Sequence, residues 1–276
     1  MNSKSKKVIQ DFGDEWARFP QNQIEPELRN VYNDYFSIVP DDRITKNAIC
    51  LDVGCGSGRW SKFVAPSVKK IYCLDPSINA LNVAKKNLSS FSNCVFLNES
   101  AHNINLENNS IDFAYSLGVL HHVSNTENCL KEVFKKLKPG APFLIYLYYR
   151  FDNRSFFYRL IWKLSDIVRK IISVMPFPLK KIITDILALF IYFPFSRTAY
   201  LLELIKIDSK WLPLSYYKDK SFYTMRTDSL DRFGTSLEKR YTKIEIEKLL
   251  SLSGFEKISF SKNRPYWVAL AYKPES

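Results

Sequence analysis

Between residues 47 and 150 the chain alternates two hydrophobic patterns. Short, almost wholly apolar runs stand at Ala48 to Val53, Lys70 to Leu74, Cys94 to Leu97, Ile111 to Leu117 and Phe143 to Leu147. Between them, apolar residues recur at helical intervals over Arg59 to Val68, Ile78 to Leu88 and Thr126 to Leu137. A run without polar alternation marks a strand buried on both faces. Strands alternating with helices at this spacing predict a parallel sheet covered on both sides. Right-handed crossovers then bring the strand ends carrying Asp52, Asp75 and Ser116 to one edge, where ligands bind.

The flanks extend this α/β reading. Val8 to Phe19 and Glu27 to Phe36 read as short helices ahead of the first strand. Near the end, Tyr241 to Leu250 reads as a helix with Thr242 as N-cap, Glu245 completing a capping box and Gly254 stopping it. Phe255 to Ser261 and Tyr266 to Tyr272 then read as two strands.

Residues 154–222 break the alternation. Phe156 to Ile172 spaces apolar residues helically with Arg and Lys between, and Ile182 to Phe193 is apolar apart from Asp185. The second run falls short of the roughly twenty residues that a membrane crossing needs. Pro176, Pro178 and Pro194 are expected to divide the segment into separate helices. The organisation is therefore an N-terminal helical segment at 1–46, a sheet domain at 47–153 and 223–276, and a helical insertion at 154–222. The insertion reads first as a lid over the substrate side, with a peripheral membrane contact as a second use.

Composition narrows the setting. The 276 residues are 46% hydrophobic and 25% charged, ordinary for a chain with a sizeable core. The net charge is +12, and Arg154 to Phe222 alone holds twelve Lys or Arg against five Asp or Glu. No long Lys/Arg run and no RNA-binding signature accompany that charge, which argues against a nucleic-acid partner. Five cysteines form no C-x-x-C pair and read as reduced buried thiols. The polar start, Met1 to Lys7, has no apolar run behind it and reads against a signal peptide. Cytoplasm, with the inner membrane face in reach of the insertion, is the expected location. Three histidines without ligand spacing give no basis for a metal site.

The candidate chemistry begins at Ile49 to Trp60, which contains Asp52, Gly54, Gly56 and Gly58 as D-x-G-x-G-x-G. Read as a dinucleotide fingerprint, G-x-G-x-x-G, it fails at Arg59 from Gly54 and at Ser61 from Gly56. It resembles instead motif I of class I S-adenosylmethionine-dependent methyltransferases. Further features join it in order: Asp75-Pro76-Ser77 after the second run, Asn98-Glu99-Ser100-Ala101 after the third, Ser110 to Val123 around the fourth, and Leu137-Lys138-Pro139-Gly140-Ala141 before the fifth. The F-G-x-E-W-x-x-F stretch from Phe12 to Phe19 and the D-R-F-G-T-x-L-E-x-R stretch from Asp231 to Arg240 are similar to segments of small-molecule and saccharide-pathway members.

The resemblance implies a Rossmann-like, mostly parallel seven-stranded sheet with an antiparallel C-terminal strand, and S-adenosyl-L-methionine as cofactor. It places Asp52, Gly54, Cys55, Gly56 and Gly58 around the methionine portion, with Ser116 at the end of strand four. It places Ser100 and Ala101 at the adenine, although the family more often has Asp at the position of Ser100. Asp75, with Pro76 beside it, stands about twenty residues past the glycine turn, where a carboxylate accepts from ribose hydroxyls. The F-G-x-E-W stretch closes the cofactor pocket in relatives, or Trp16 and Phe19 simply pack a helix on the sheet.

On the acceptor side, His121 and His122 follow strand four, and histidine titrates where a general base for a hydroxyl should. His121, nearer the strand end, is preferred. Asp152 follows strand five, where it orients a hydroxyl, pairs with a histidine, or caps the next helix. The Arg, Asp and Tyr residues between Tyr223 and Tyr241 suit a sugar, phosphate or carboxylate, or else pair with one another. The function read from these residues is methyl transfer to a hydroxyl or amine of a small molecule, sugar-like or lipid-linked. The alternatives are an RNA methyltransferase and a non-catalytic cofactor-binding protein of the same fold. Against RNA, the site of the N/D-P-P-Y motif reads Ser116-Leu117-Gly118-Val119.

Overall fold

The expected apolar runs form one seven-stranded sheet in a computed structural model that describes residues 3–21 and 25–275. Met1 and Asn2, part of the start read against a signal peptide, lie outside the described residues. The strands are β1 (Ile49–Val53), β2 (Lys70–Leu74), β3 (Cys94–Leu97), β4 (Phe113–Leu117), β5 (Pro142–Tyr146), β6 (Glu256–Phe260) and β7 (Val268–Tyr272), in the order β3-β2-β1-β4-β5-β7-β6. The pairs from β3 through to β5 are parallel, and β7 runs antiparallel to both β5 and β6.

Every residue of β4 and β5 is buried, as unalternating apolar strands require. Successive residues still face opposite sides. Phe113 and Tyr115 join one core with Phe36, Trp60 and Ile71, while Ala114 joins a second with Val53, Leu130 and Ile145. The covering helices are α1 (Ser3–Arg18), α2 (Glu25–Phe36), α3 (Ser61–Val64), α4 (Ile78–Asn87) and α5 (Thr126–Lys136). Ser77 and Asn125 cap α4 and α5, each side chain accepting from a backbone N–H three residues on.

The chain divides into two compact units, residues 1–152 with 237–276, and residues 153–236. These bounds differ from the expected ones at two places. Residues 1–46 are part of the sheet unit rather than a segment of their own, and the insertion ends at 236 rather than 222. The second unit comprises α6 (Phe156–Ser173), α7 (Phe177–Leu187), α8 (Phe193–Leu204) and α9 (Phe222–Gly234). The reason α9 belongs there is polar. Arg226 grips Asp185 of α7 with two hydrogen bonds of 2.9 and 3.0 Å, and Ser229 donates to the Thr184 carbonyl.

Pro194 does not separate helices as expected. A π-helical turn, Ala188–Tyr192, carries the backbone from α7 into α8, and Pro194 sits in the first turn of α8. Such a turn accommodates the missing proline N–H without ending the helix. The result is continuous from Phe177 to Leu204, 28 residues, long and apolar enough by length and composition to cross a membrane. The apolar run at Ile182 to Phe193 had suggested a shorter element. Back in the sheet unit, α10 (Lys243–Leu252) begins with the expected capping box between Thr242 and Glu245.

Candidate active site

At the carboxyl ends of β1, β2 and β4 the sheet unit holds a cavity of about 430 Å³. Its floor is the glycine turn after β1. There the N–H groups of Gly54 and Cys55 both donate to the Leu74 carbonyl, at 2.7 and 2.9 Å. Gly56 N–H donates to Asp75 Oδ2 at 3.0 Å, and Ser77 N–H donates to Oδ1 at 2.8 Å. One carboxylate thus ties the turn to the end of β2. Gly56 has φ +54°, and a Cβ there would lie 2.9 Å from the Trp16 indole. Only a residue without a side chain allows that aromatic to rest on the turn.

The cavity is lined by Gly54, Cys55, Gly56, Asp75, Pro76, Ser100, Ala101 and His122 among the residues singled out from the sequence. The opposite wall is α1, through Val8, Ile9, Phe12 and Trp16. Gly13 lets this helix come close, since a Cβ there would meet the Ser77 hydroxyl at 2.5 Å. Arg59, Trp60, His102 and Val119 also line it, and none of them was assigned to the site from the sequence. Arg59 lies over both the Trp16 and Trp60 rings, at 4.8 and 4.7 Å, by a cation–π contact that a sequence cannot display. The signal for α1 was present: two aromatics four apart with a glycine between them in a helix.

Asp52, Gly58 and Ser116 do not line the cavity; they hold its floor from beneath. Asp52 Oδ2 accepts from Ser61 Oγ at 2.6 Å and from Tyr115 Oη at 3.0 Å. Ser116 Oγ donates to the Val53 carbonyl, locking β4 to β1. Gly58 packs on α4, where a Cβ would meet Leu88 at 2.8 Å. Burial pushes the Asp52 carboxyl up to about 7, against the pull of its two donors. Burial likewise raises Asp75 to about 6, opposed by the N–H groups of Ser77 and Gly56.

The histidine pair separates into two positions, and it is His122 rather than the preferred His121 that lines the cavity. His122 lines the cavity, and its Nδ1 lies 2.8 Å from the Leu237 carbonyl. A carbonyl only accepts, so Nδ1 is the nitrogen that carries a hydrogen toward it. His121 is fully buried outside the lining, stacked on Tyr148 with ring centroids 3.9 Å apart. Neither of its ring nitrogens has a hydrogen-bond partner among the described residues. Burial holds it well below the usual imidazole range, so it is neutral.

Asp152 stands outside the cavity. Its two oxygens accept from Lys243 N–H at 3.0 Å and Trp267 Nε1 at 2.9 Å, fastening the start of α10 to the β7 region, while Ser155 caps α6. The arginines of the 223–241 stretch are also engaged: Arg226 with Asp185, Arg232 with Asp228, and Arg240 with Glu238.

A strand order of 3-2-1-4-5-7-6 with a glycine turn leading to a carboxylate on β2 defines the class I methyltransferase fold. Residues 51–145 match the family described as "Methyltransferase domain". Residues 51–145 thus match a methyltransferase domain within a sheet of the class I methyltransferase fold, a family whose cofactor is S-adenosylmethionine. It is 30% identical over 139 residues to demethylmenaquinone methyltransferase of Staphylococcus aureus, covering 49% of this chain and 56% of that one. It is 24% identical over 132 residues to the sterol 4-C-methyltransferase strm-1 of Caenorhabditis elegans, covering 47% of this chain and 39% of that one. The chain thus spans less than two thirds of the length of these curated relatives. A SAM-dependent methyltransferase structure from Thermotoga maritima shares the fold, with a TM-score of 0.51 at 16% identity over 96% of this chain and all of that one.

The cavity suits that cofactor. Its volume falls within the range of small-molecule sites. Its buried carboxylate, Asp75, is raised in a way that a cationic ligand would reverse. The residues expected at the methionine portion (Gly54 and Gly56), the ribose (Asp75) and the adenine (Ser100 and Ala101) all line the cavity. When bound, S-adenosylmethionine supplies a methyl group activated by its sulfonium.

Proposed function

We propose that this protein transfers a methyl group to a hydroxyl or amine of a small molecule, sugar-like or lipid-linked, in the cytoplasm. The observation that carries the reading is His122 in the cavity wall with its Nδ1 held by the Leu237 carbonyl. With Nδ1 engaged by that carbonyl, Nε2 is the nitrogen that would take the proton of a hydroxyl acceptor. An amine acceptor would need only to arrive unprotonated. The relatives named above act on a sterol and on demethylmenaquinone, small molecules both, which supports an acceptor of that size. His121, neutral and enclosed against Tyr148, shapes the wall behind His122.

The test is incubation of the purified protein with methyl-labelled donor and fractionated cell extract, read by mass spectrometry. Label is expected in polar lipids or nucleotide sugars, and label confined to RNA would overturn the reading. With a hydroxyl acceptor, His122→Gln should lower kcat by about 10² or more with donor affinity kept.

A further inference from the structure

The second unit has its polarity reversed. Of 26 large hydrophobic residues exposed among the described residues, 23 lie between Phe156 and Trp211. On α6 they recur as Leu160, Leu164, Ile167, Ile171 and Val174, one continuous stripe at helical spacing. Phe190, at the middle of the long helix, is 69% exposed. Most of the buried positions in these helices are by contrast polar or small: Arg169 and Ser173 on α6, then Lys180, Thr184, Ala188, Ser196 and Ala199, with Ile172 and Tyr192 the larger exceptions. A water-facing domain of this size arranges these the other way round.

We propose that the outward faces of α6 and of the helix from α7 through α8 dock this protein on an anionic lipid bilayer, lying in its interface without crossing it. The inference stands independently of methyl transfer. Charge names the partner. Residues 153–236 hold fourteen Lys and Arg against seven Asp and Glu. Arg159, Lys163, Lys170 and Lys181 are exposed in the same helices as the apolar stripe. Long basic side chains among exposed leucines suit a lipid surface, where the stem lies in the acyl boundary and the cation meets a phosphate. They do not suit a protein–protein core, from which lysine is depleted.

Internal packing decides between lying and crossing. The stripe Lys180, Thr184, Ala188, Tyr192, Ser196 and Ala199 is buried along the full length of the long helix. α9 holds it there through Arg226 on Asp185, Ser229 on the Thr184 carbonyl, and Asp228, which accepts from Tyr192 Oη at 3.0 Å. With that face occupied by a polar partner helix, only the opposite face is open to acyl chains.

The experiment is flotation of the full chain with vesicles of equal parts phosphatidylcholine and phosphatidylglycerol, beside vesicles of phosphatidylcholine alone. Binding to the mixed vesicles is expected to be at least about tenfold tighter and to weaken with salt. Leu164→Glu with Ile186→Glu should reduce it by about a hundredfold, while circular dichroism and donor binding stay unchanged. Lys163→Glu with Lys181→Glu, which alters no apolar contact, should remove the preference for the anionic vesicles. Three results would each overturn the proposal: no flotation with either vesicle, a concentration-dependent dimer abolished by Leu164→Glu, or resistance of the membrane-bound protein to both high salt and carbonate.

Discussion

The two units of this chain solve opposite burial problems with similar helices. In the sheet unit α5 turns Cys129, Leu130 and Val133 inward and leaves Lys131 and Lys135 in water. In the insertion, α6 and the long helix turn serine, threonine and paired charges inward and leave leucine, isoleucine and phenylalanine outside. Amphipathic spacing is equally clear in both; what differs is which stripe the neighbours cover. A periodic pattern therefore establishes that a helix has two faces, and only the packing says which one meets protein.

Perturbations at graded strength probe that contrast. The largest effect should come from the sheet unit's site. Asp75→Ala removes a carboxylate that holds two backbone N–H groups and faces the cavity, so calorimetry should show donor affinity falling by about a hundredfold or more. Next, Gly54→Ala forces a side chain to adopt φ +79° and drives a Cβ to 2.3 Å from Val119. It should cost about 2–3 kcal/mol in chemical denaturation.

In the insertion, Thr184→Leu should destabilise despite adding apolar surface, by about 1–3 kcal/mol, because the position is fully enclosed. A stabilising result would mean that the inward stripe is not packed as described.

A smaller effect follows pH. Asp52 and Asp75 are raised in the folded chain, to about 7 and about 6 from 3.8, chiefly by burial. Their contribution to stability is therefore fully present below the ordinary carboxylate range, is lost progressively as pH rises from about 4, and is gone above about 7. The Tm of the donor-free protein should fall over that interval, and Asp52→Asn should flatten the fall. Donor affinity should move the other way, rising by up to about tenfold per pH unit until Asp75 is ionised, then levelling. The smallest effect belongs to the insertion's outer stripe, where Leu164→Gln should leave stability in water within about 0.5 kcal/mol. A loss comparable to Thr184→Leu would erase the distinction between the two faces.

The sheet unit was legible because buried parallel strands leave uninterrupted apolar runs, and because the glycines and Asp75 occupy positions that backbone geometry dictates. Gly54, Gly56, Asp75, Ser100 and Ala101 came together at one cavity for that reason. Asp52, Gly58 and Ser116 show where motif reading stops: neighbours in sequence to the lining, they point into the supporting layer. His121 and His122 are adjacent in sequence, and nothing local says which ring reaches the cavity. That depends on Tyr148 and the Leu237 carbonyl, which come from distant parts of the chain. Pro194 was a stop signal that a π turn absorbed, and the insertion's true end at 236 depends on the pairing of Arg226 with Asp185.

The wall formed by Phe12 and Trp16 has a practical consequence at the bench. Because α1 lays Trp16 against the glycine turn, a bulky label attached to that helix would crowd the space that the donor needs. Handles and fluorophores for turnover measurements therefore belong on a segment remote from that helix.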